Sequence, residues 1–330
     1  MSEENEILGD LYIFSGQSNR RLAKKICKSI GVPLRETKFD RFSNDNIWIQ
    51  LGESVRGKDV YIVQSLTEPV SDYLMQMLMM LNVARVGDAR RVTAVIPHYS
   101  YARSDKKDAP RICITARLVA DLIQTSGADR VITMTLHSDQ VHGFFSIPLD
   151  HLTSQSVFVE YFDKYRGTDT MLVSPDVGYG KHVVRLAREL GLSVAITVKE
   201  RLADDYVRID AVLGMGEVPE RVIIVDDEIA TGGTIKQAIE AIREKGAKEF
   251  IIACTHGILS KNAASALQEI EGVTEIVITD TVRLDKSVRE LEKITILSLA
   301  KVLGEGILRN HKAASMGSLF TFWKESAKAE

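Results

Sequence analysis

The sequence predicts an α/β protein with central, mostly parallel sheets flanked by helices. Short β-branched runs alternate with stretches of helical periodicity along most of the 330 residues. Most of these runs are continuously apolar rather than alternating, as parallel strands buried on both faces require. Gly31, Gly87, Gly127, Gly191 and Gly246 each follow a helical stretch, where a left-handed cap prefers glycine.

In chain order, a strand at 11–14 leads to a helix at 20–30, closed by Gly31. A strand at 60–64 precedes a helix at 72–86. The strand at 92–97 is followed by a charged stretch and then a helix at 114–126. A strand at 131–136 completes this first series. Pro148 and the polar residues 151–156 separate it from a second series, so two units are expected, 1–150 and 151–330. The second series has helices at 155–165, 181–190, 234–245, 262–270 and 300–310. Its strands are expected at 171–174, 194–198, 222–225, 250–254 and 276–279.

Composition excludes several classes. The chain is 45% hydrophobic and 26% charged, which is enough apolar content for a sizeable core and argues against disorder. A formal charge of −3 gives no global basic field for nucleic acid or an anionic membrane. Cys27, Cys113 and Cys254 have no zinc-type spacing and fit a reducing compartment, so a cytoplasmic protein is expected. The apolar stretch at 74–84 is too short for a bilayer and contains Gln76 and Asn82.

The clearest motif runs over 222–234, VIIVDDEIATGGT. A buried strand ends in Asp226 and Asp227. Thr231, Gly232, Gly233 and Thr234 then open a helix. Ligands of open α/β sheets bind at the carboxyl ends of the strands. Glycines let backbone N–H groups close on a phosphate, and the helix N-terminus favours its charge. Paired carboxylates beside such a cradle can take bonds from sugar hydroxyls or hold Mg²⁺. A plain strand–turn–helix with threonine as N-cap would use the same residues.

Three further segments end strands. Residues 103–111 interleave Arg103, Lys106, Lys107 and Arg111 with Asp105 and Asp108, a cationic loop able to close over polyphosphate or to remain a solvated surface. Lys199 and Arg201 follow the strand at 194–198 and offer a point charge and a bidentate fork. Asp176, Gly178 and Gly180 form a tight loop entering a helix. Met75, Met77, Met79 and Met80 read as core or as a subunit interface.

The 222–234 segment resembles the phosphoribosyl pyrophosphate motif of the type I phosphoribosyltransferases. Phe42-Ser43-Asn44, the run 52–57, the run 97–108, Thr135-Leu136-His137-Ser138, Ser174-Pro175-Asp176, Lys199-Glu200-Arg201 and the ending 315–320 look, in collinear order, like the ribose-phosphate pyrophosphokinase family. Each piece is weak alone; the ordered set is specific. It implies two tandem phosphoribosyltransferase-like domains, the tail 311–330 packing back on the first. It also implies Mg²⁺-dependent transfer of pyrophosphate from ATP to ribose 5-phosphate.

By that resemblance, Lys199, Arg201 and Arg103 stabilise the transferring charge. Phe42, Asn44, Asn46, Arg103, Ser104, Asp108 and His137 contact ATP. Asp226, Asp227 and Thr231–Thr234 hold ribose 5-phosphate. Asp176, Gly178 and Gly180 receive pyrophosphate, and His137 with Asp176 helps hold Mg²⁺. Ser54, Arg56, Ser315 and Ser318 match a regulatory phosphate site. A self-associating assembly, a hexamer built from dimers, is implied, with Phe42 reaching into a neighbouring subunit.

The sequence departs from the family pattern at Asn46, Ser104, Val177, Tyr179 and Ala230. In addition, Pro110 stiffens the cationic loop. These departures keep open a non-catalytic regulatory homologue. The 222–234 segment alone would also suit a type I phosphoribosyltransferase.

Overall fold

The computed structural model describes residues 10–319 except 204, 205, 215, 216 and 261. At 199–213 and at 318 it describes the backbone alone. The chain forms two compact units. One takes in the chain up to Thr153, together with Thr281–Arg283 and the stretch from Leu299; the other comprises Ser154–Asp280 and Leu284–Ser298. The sequence suggests two contiguous halves, whereas the last helix belongs to the first unit.

The first unit is centred on a five-stranded sheet ordered β1 (Leu11–Ser15), β4 (Asp59–Val63), β5 (Arg91–Ile96), β6 (Arg130–Met134) and β7 (Leu149–Leu152). Every pairing in it is parallel. All five residues of β4 are buried, the reason its sequence carries no alternation. Helices α1 (Arg20–Ser29), α2 (Val70–Val86) and α3 (Thr115–Thr125) connect these strands, and α9 (Ala300–His311) closes the unit. Asn19 caps α1 by accepting the Leu22 N–H through Oδ1. Met77 and Met80 of α2 lie in the core, while Met75 is half exposed.

A hairpin of β2 (Thr37–Arg41) and β3 (Ile47–Leu51) stands apart as a two-stranded antiparallel sheet. Its residues are mostly polar or exposed, so the apolar-run criterion passes over it. Gly87 also differs from expectation. Its φ is −72°, and the left-handed residue there is Asp88. A Cβ at Gly87 would lie 2.7 Å from Val55 Cγ2, so close packing explains this glycine better than capping does.

The second unit holds seven strands ordered β10 (Tyr206–Gly214), β9 (Ser193–Ala203), β8 (Thr170–Ser174), β11 (Arg221–Ile229), β12 (Glu249–Gly257), β13 (Val273–Thr279) and β14 (Ile294–Leu297). Only β10 runs antiparallel, on the edge beside β9. Helices α4 (Gln155–Phe162), α5 (Gly180–Leu190), α6 (Gly233–Arg243), α7 (Ala263–Gln268) and α8 (Lys286–Arg289) accompany these strands. One apolar layer sets Ile235, Ala238, Ile239 and Ile242 of α6 against the sheet; another gathers Phe158, Phe162, Val183 and Leu190. The fold is therefore α/β with mostly parallel sheets flanked by helices.

Candidate active site

In the second unit the site grows from the carboxyl ends of β8 and β11. Asp226 and Asp227 are buried, at 6% and 3% exposure. The Asp227 N–H donates to Asp226 Oδ1 at 2.9 Å. Burial raises the proton affinity of Asp226 well above the ordinary carboxylate range, and the charges of Asp227 and Asp176 add to it. The charges of Asp227 and Asp176 are thus both felt at Asp226, near the carboxyl ends of neighbouring strands.

Past β11 the backbone is pinned. The Ser260 N–H and hydroxyl both donate to the Ala230 carbonyl, at 2.9 and 3.1 Å. Gly232 turns left-handed at φ 81° and precedes α6. A Cβ there would be strained in conformation and would crowd Leu267 at 3.1 Å. With glycine at this cap, the first N–H groups of α6 have no side-chain acceptor from Gly232 and can meet an anion. Thr231 is exposed beside them, and Thr234 half-buried.

The 174–180 segment is equally ordered. The Ser174 hydroxyl donates to the Asp176 carbonyl at 2.7 Å, and Asp176 Oδ1 accepts the Tyr179 N–H at 3.1 Å. A Cβ on Gly180 would lie 2.8 Å from Ile196 Cδ1, so this glycine is needed for close approach. Tyr179 was legible only as a departure from the family pattern, although its hydroxyl is buried against the acid pair. Thr255 and Cys254, which face the same strand end from β12, had no motif to reveal them. Cys254 has its thiol acidity suppressed by burial and then by Asp226.

Lys199 and Arg201 are expected just past their strand. The structure extends β9 through both, paired with Ile209 and Val207 of β10. The added edge strand explains the difference: pairing with β10 prolongs β9 beyond its apolar run. Their side chains lie outside the described residues.

In the first unit Phe42, Asn44 and Asn46 occupy the turn of the β2–β3 hairpin. The Phe42 N–H donates to the Asn46 carbonyl, and the Asp45 N–H to the Phe42 carbonyl, both at 2.9 Å. Arg41 ties the turn to α2 through Asp72 at 2.6 Å and pairs with Asp45. Phe42 is 58% exposed, so its ring is not part of the core. Arg103 closes a short 3-10 turn, Ser100–Arg103, and is exposed. The Ser104 hydroxyl fastens the loop's base, donating to the Cys113 carbonyl at 3.1 Å and accepting the Thr115 N–H at 3.2 Å. Asp108 lies in the exposed arc between, with Lys106 at 3.7 Å.

His137 is exposed three residues past β6, since the strand ends at Met134 rather than 136. His151 on β7 accepts the Leu136 N–H through Nε2 at 2.8 Å and so fixes the segment that presents His137. Ser54 and Arg56 are exposed, Arg56 pairing with Asp88 at 2.8 Å. Ser315 is exposed and accepts the Gly317 N–H; the Ser318 side chain lies outside the described residues.

Among the described residues, no group of three or more His, Cys, Asp or Glu side chains is arranged to hold a metal alone. Asp176, whose charge is felt at Asp226, offers oxygen donors of the kind a hard divalent cation takes, with the rest of the ion's shell left to other ligands. Among the described residues, no helix is long and apolar enough to cross a membrane.

Comparison with known proteins agrees with this arrangement. The profile of the N-terminal domain of ribose phosphate pyrophosphokinase matches residues 11–127, and that of the phosphoribosyl synthetase-associated domain matches 175–321. Ribose-phosphate pyrophosphokinase of Deinococcus radiodurans is 45% identical over 315 residues, covering 94% of this chain and 98% of its own. That of Caldanaerobacter subterraneus is 41% identical over 312 residues, with the same coverage of 94% and 98%. The crystal structure of phosphoribosylpyrophosphate synthetase from Mycobacterium smegmatis superposes with a TM-score of 0.85 at 37% identity, covering 92% of this chain and 100% of that one. The acid pair, the glycine-capped helix and the hairpin turn therefore belong to an enzyme of the ribose-phosphate pyrophosphokinase family.

Proposed function

We propose that the chain transfers the β,γ-pyrophosphoryl group of ATP to O1 of ribose 5-phosphate, giving 5-phosphoribosyl 1-pyrophosphate and AMP. The observation that carries this reading is the pairing of buried Asp226 and Asp227 with the Gly232-capped start of α6. That combination offers acceptors for two ribose hydroxyls and N–H donors for a 5-phosphate, spaced by one loop.

Asp226 and Asp227 bind the ribose hydroxyls, and Thr231, Gly232, Gly233 and Thr234 the phosphate. Phe42 stacks on adenine, Asn44 and Asn46 read its edge, and Arg103, Ser104 and Asp108 meet the phosphates. The O1 hydroxyl attacks the β-phosphorus in line. The new O1–Pβ bond forms as the bond from Pβ to the α,β-bridging oxygen breaks, AMP leaves with that oxygen, and the hydroxyl proton passes to solvent. Arg103, Lys199 and Arg201 stabilise the charge on the transferring oxygens. Asp176, with Gly178 and Gly180, receives the pyrophosphoryl group. His137 and Asp176 would help hold Mg²⁺, whose bound form neutralises charge on the phosphate oxygens.

Self-association into a hexamer built from dimers, with Phe42 serving a neighbouring subunit, is part of the proposal. So is phosphate regulation through Ser54, Arg56, Ser315 and Ser318. The exposed Arg56–Asp88 pair is weak enough to re-form on an anion. Substitution tests the assignment of Lys199 and Arg201: Lys199→Ala and Arg201→Ala should each lower kcat at least a hundredfold with ATP still bound. Wild-type turnover in both variants would refute their role.

A further inference from the structure

Tyr179 leaves the loop at the end of β8, yet its hydroxyl bonds to Thr255 on β12. Strand β11 lies between those two strands. Asp226 stands opposite Cys254 in the β11–β12 register, which puts Thr255 at the level of Asp227. Two strand spacings are about 10 Å, so the side chain must cross β11 at the level of the acid pair.

Both ends of this crossing are fixed. On the loop side, the Tyr179 N–H is held by Asp176 Oδ1 at 3.1 Å, and the ring stacks on His182 at 4.9 Å with planes 19° apart. On the far side, Thr255 Oγ1 lies 2.7 Å from Ser154 Oγ, and the Thr255 carbonyl accepts the Thr279 hydroxyl at 2.6 Å. Burial, then Asp227 and Asp226, suppress ionisation of the phenol, so the group stays a neutral hydroxyl.

We propose that Tyr179 is a positioning residue for the transfer: its side chain is a strut from the 176–180 loop to Thr255 that sets the loop's height over Asp226 and Asp227. The inference rests on the reading of that loop as the receiver of the pyrophosphoryl group. A phosphate-binding loop displaced by a fraction of an ångström loses alignment in transfer before it loses affinity.

The test compares Tyr179→Phe, Thr255→Val and the double variant with wild type. The Phe variant keeps the ring and its stack on His182 and removes only the hydroxyl. The expected result for Tyr179→Phe is a kcat lower by about tenfold, with KM for ATP and for ribose 5-phosphate within about twofold and Tm within a few degrees. The double variant should be no worse than the poorer single variant, since one strut is broken once. Amides 177–181 should exchange hydrogen faster in Tyr179→Phe. An unchanged kcat in Tyr179→Phe, or fully additive losses in the double variant, would overturn the strut. Absence of turnover in wild type would instead defeat the proposed reaction. Amide exchange then decides alone: faster exchange upholds the strut and unchanged exchange overturns it.

Discussion

His311 Nδ1, at the last residue of α9, lies 2.6 Å from Oδ2 of Asp59, the first residue of β4. Arg91 completes the tie with a fork, Nε on Oδ1 at 2.9 Å and Nη2 on Oδ2. It also donates to the Asn310 carbonyl at 3.0 Å. The Tyr61 hydroxyl adds a further bond to Asp59. Asp59 is fully buried, and burial alone would raise its pKa. His311 and Arg91 outweigh that and hold it below the usual carboxylate range. This cluster ties the end of the last helix to β4 and β5 of the first unit.

Breaking the cluster should therefore be costly. Arg91→Ala removes the two-pronged partner of a buried carboxylate, leaving it His311 and Tyr61, and is expected to lose about 3 kcal/mol in urea unfolding at pH 7. Because the folded pKa of Asp59 is depressed, its contribution is present above the unfolded value of about 3.9 and is lost as pH falls through the folded value. Asp59→Asn should flatten that acid limb of the stability curve.

Asp226 behaves in the opposite sense. Its folded pKa is raised by burial, Asp227 and Asp176, so the folded ligand-free state binds the proton more tightly than the unfolded chain. Stability then falls as pH rises from about 4 toward the folded pKa. Asp226→Asn removes this penalty. The variant should melt a few degrees higher than wild type at pH 7 without ligand, while kcat/KM for ribose 5-phosphate drops at least a hundredfold. A variant that melts lower and stays active would contradict both halves. Calorimetry and initial rates supply the two readings.

Phe42 carries the prediction for the nucleotide. It is exposed on a hairpin turn whose backbone bonds do not use its ring. Phe42→Ala should leave Tm within about a degree and raise KM for ATP about tenfold, given ~1–3 kcal/mol for an aromatic–base stack. The KM for ribose 5-phosphate should hold.

Cys113 is the exposed thiol, in the arc between Ser104 and α3. Cys27 is buried and its pKa is pushed up to about 12; Cys254 is buried as well. A thiol reagent should label one cysteine per native chain quickly, and peptide mapping should place it at Cys113. A bulky adduct there should slow turnover by obstructing the 103–111 loop, and Cys113→Ser should be active and resistant.

The parts legible in the sequence are those in which one physical requirement dominates. Runs such as 60–64 and 222–225 are buried on both faces, so apolarity alone marks them. The acid pair and TGGT announce themselves because a phosphate cradle needs glycine at Gly232. The β2–β3 hairpin escaped because only Thr37, Ile49 and Leu51 of its ten residues are buried. Strand β10 escaped because it is an edge strand that pairs only with β9, and that pairing carried β9 over Lys199 and Arg201. Ser104 shows a different limit: its hydroxyl serves the loop's own base, a local bond that residue type does not disclose. Asp59 and His311 are 252 positions apart, and no periodicity links them.

The central claim is the transfer itself, and ³¹P NMR of the purified full-length chain with Mg²⁺, ATP and ribose 5-phosphate tests it most directly. The prediction is AMP together with a new sugar-linked diphosphate resonance, both dependent on ribose 5-phosphate and both lost in Asp226→Asn. A folded chain that binds ATP yet yields neither signal, with or without added phosphate, would contradict it.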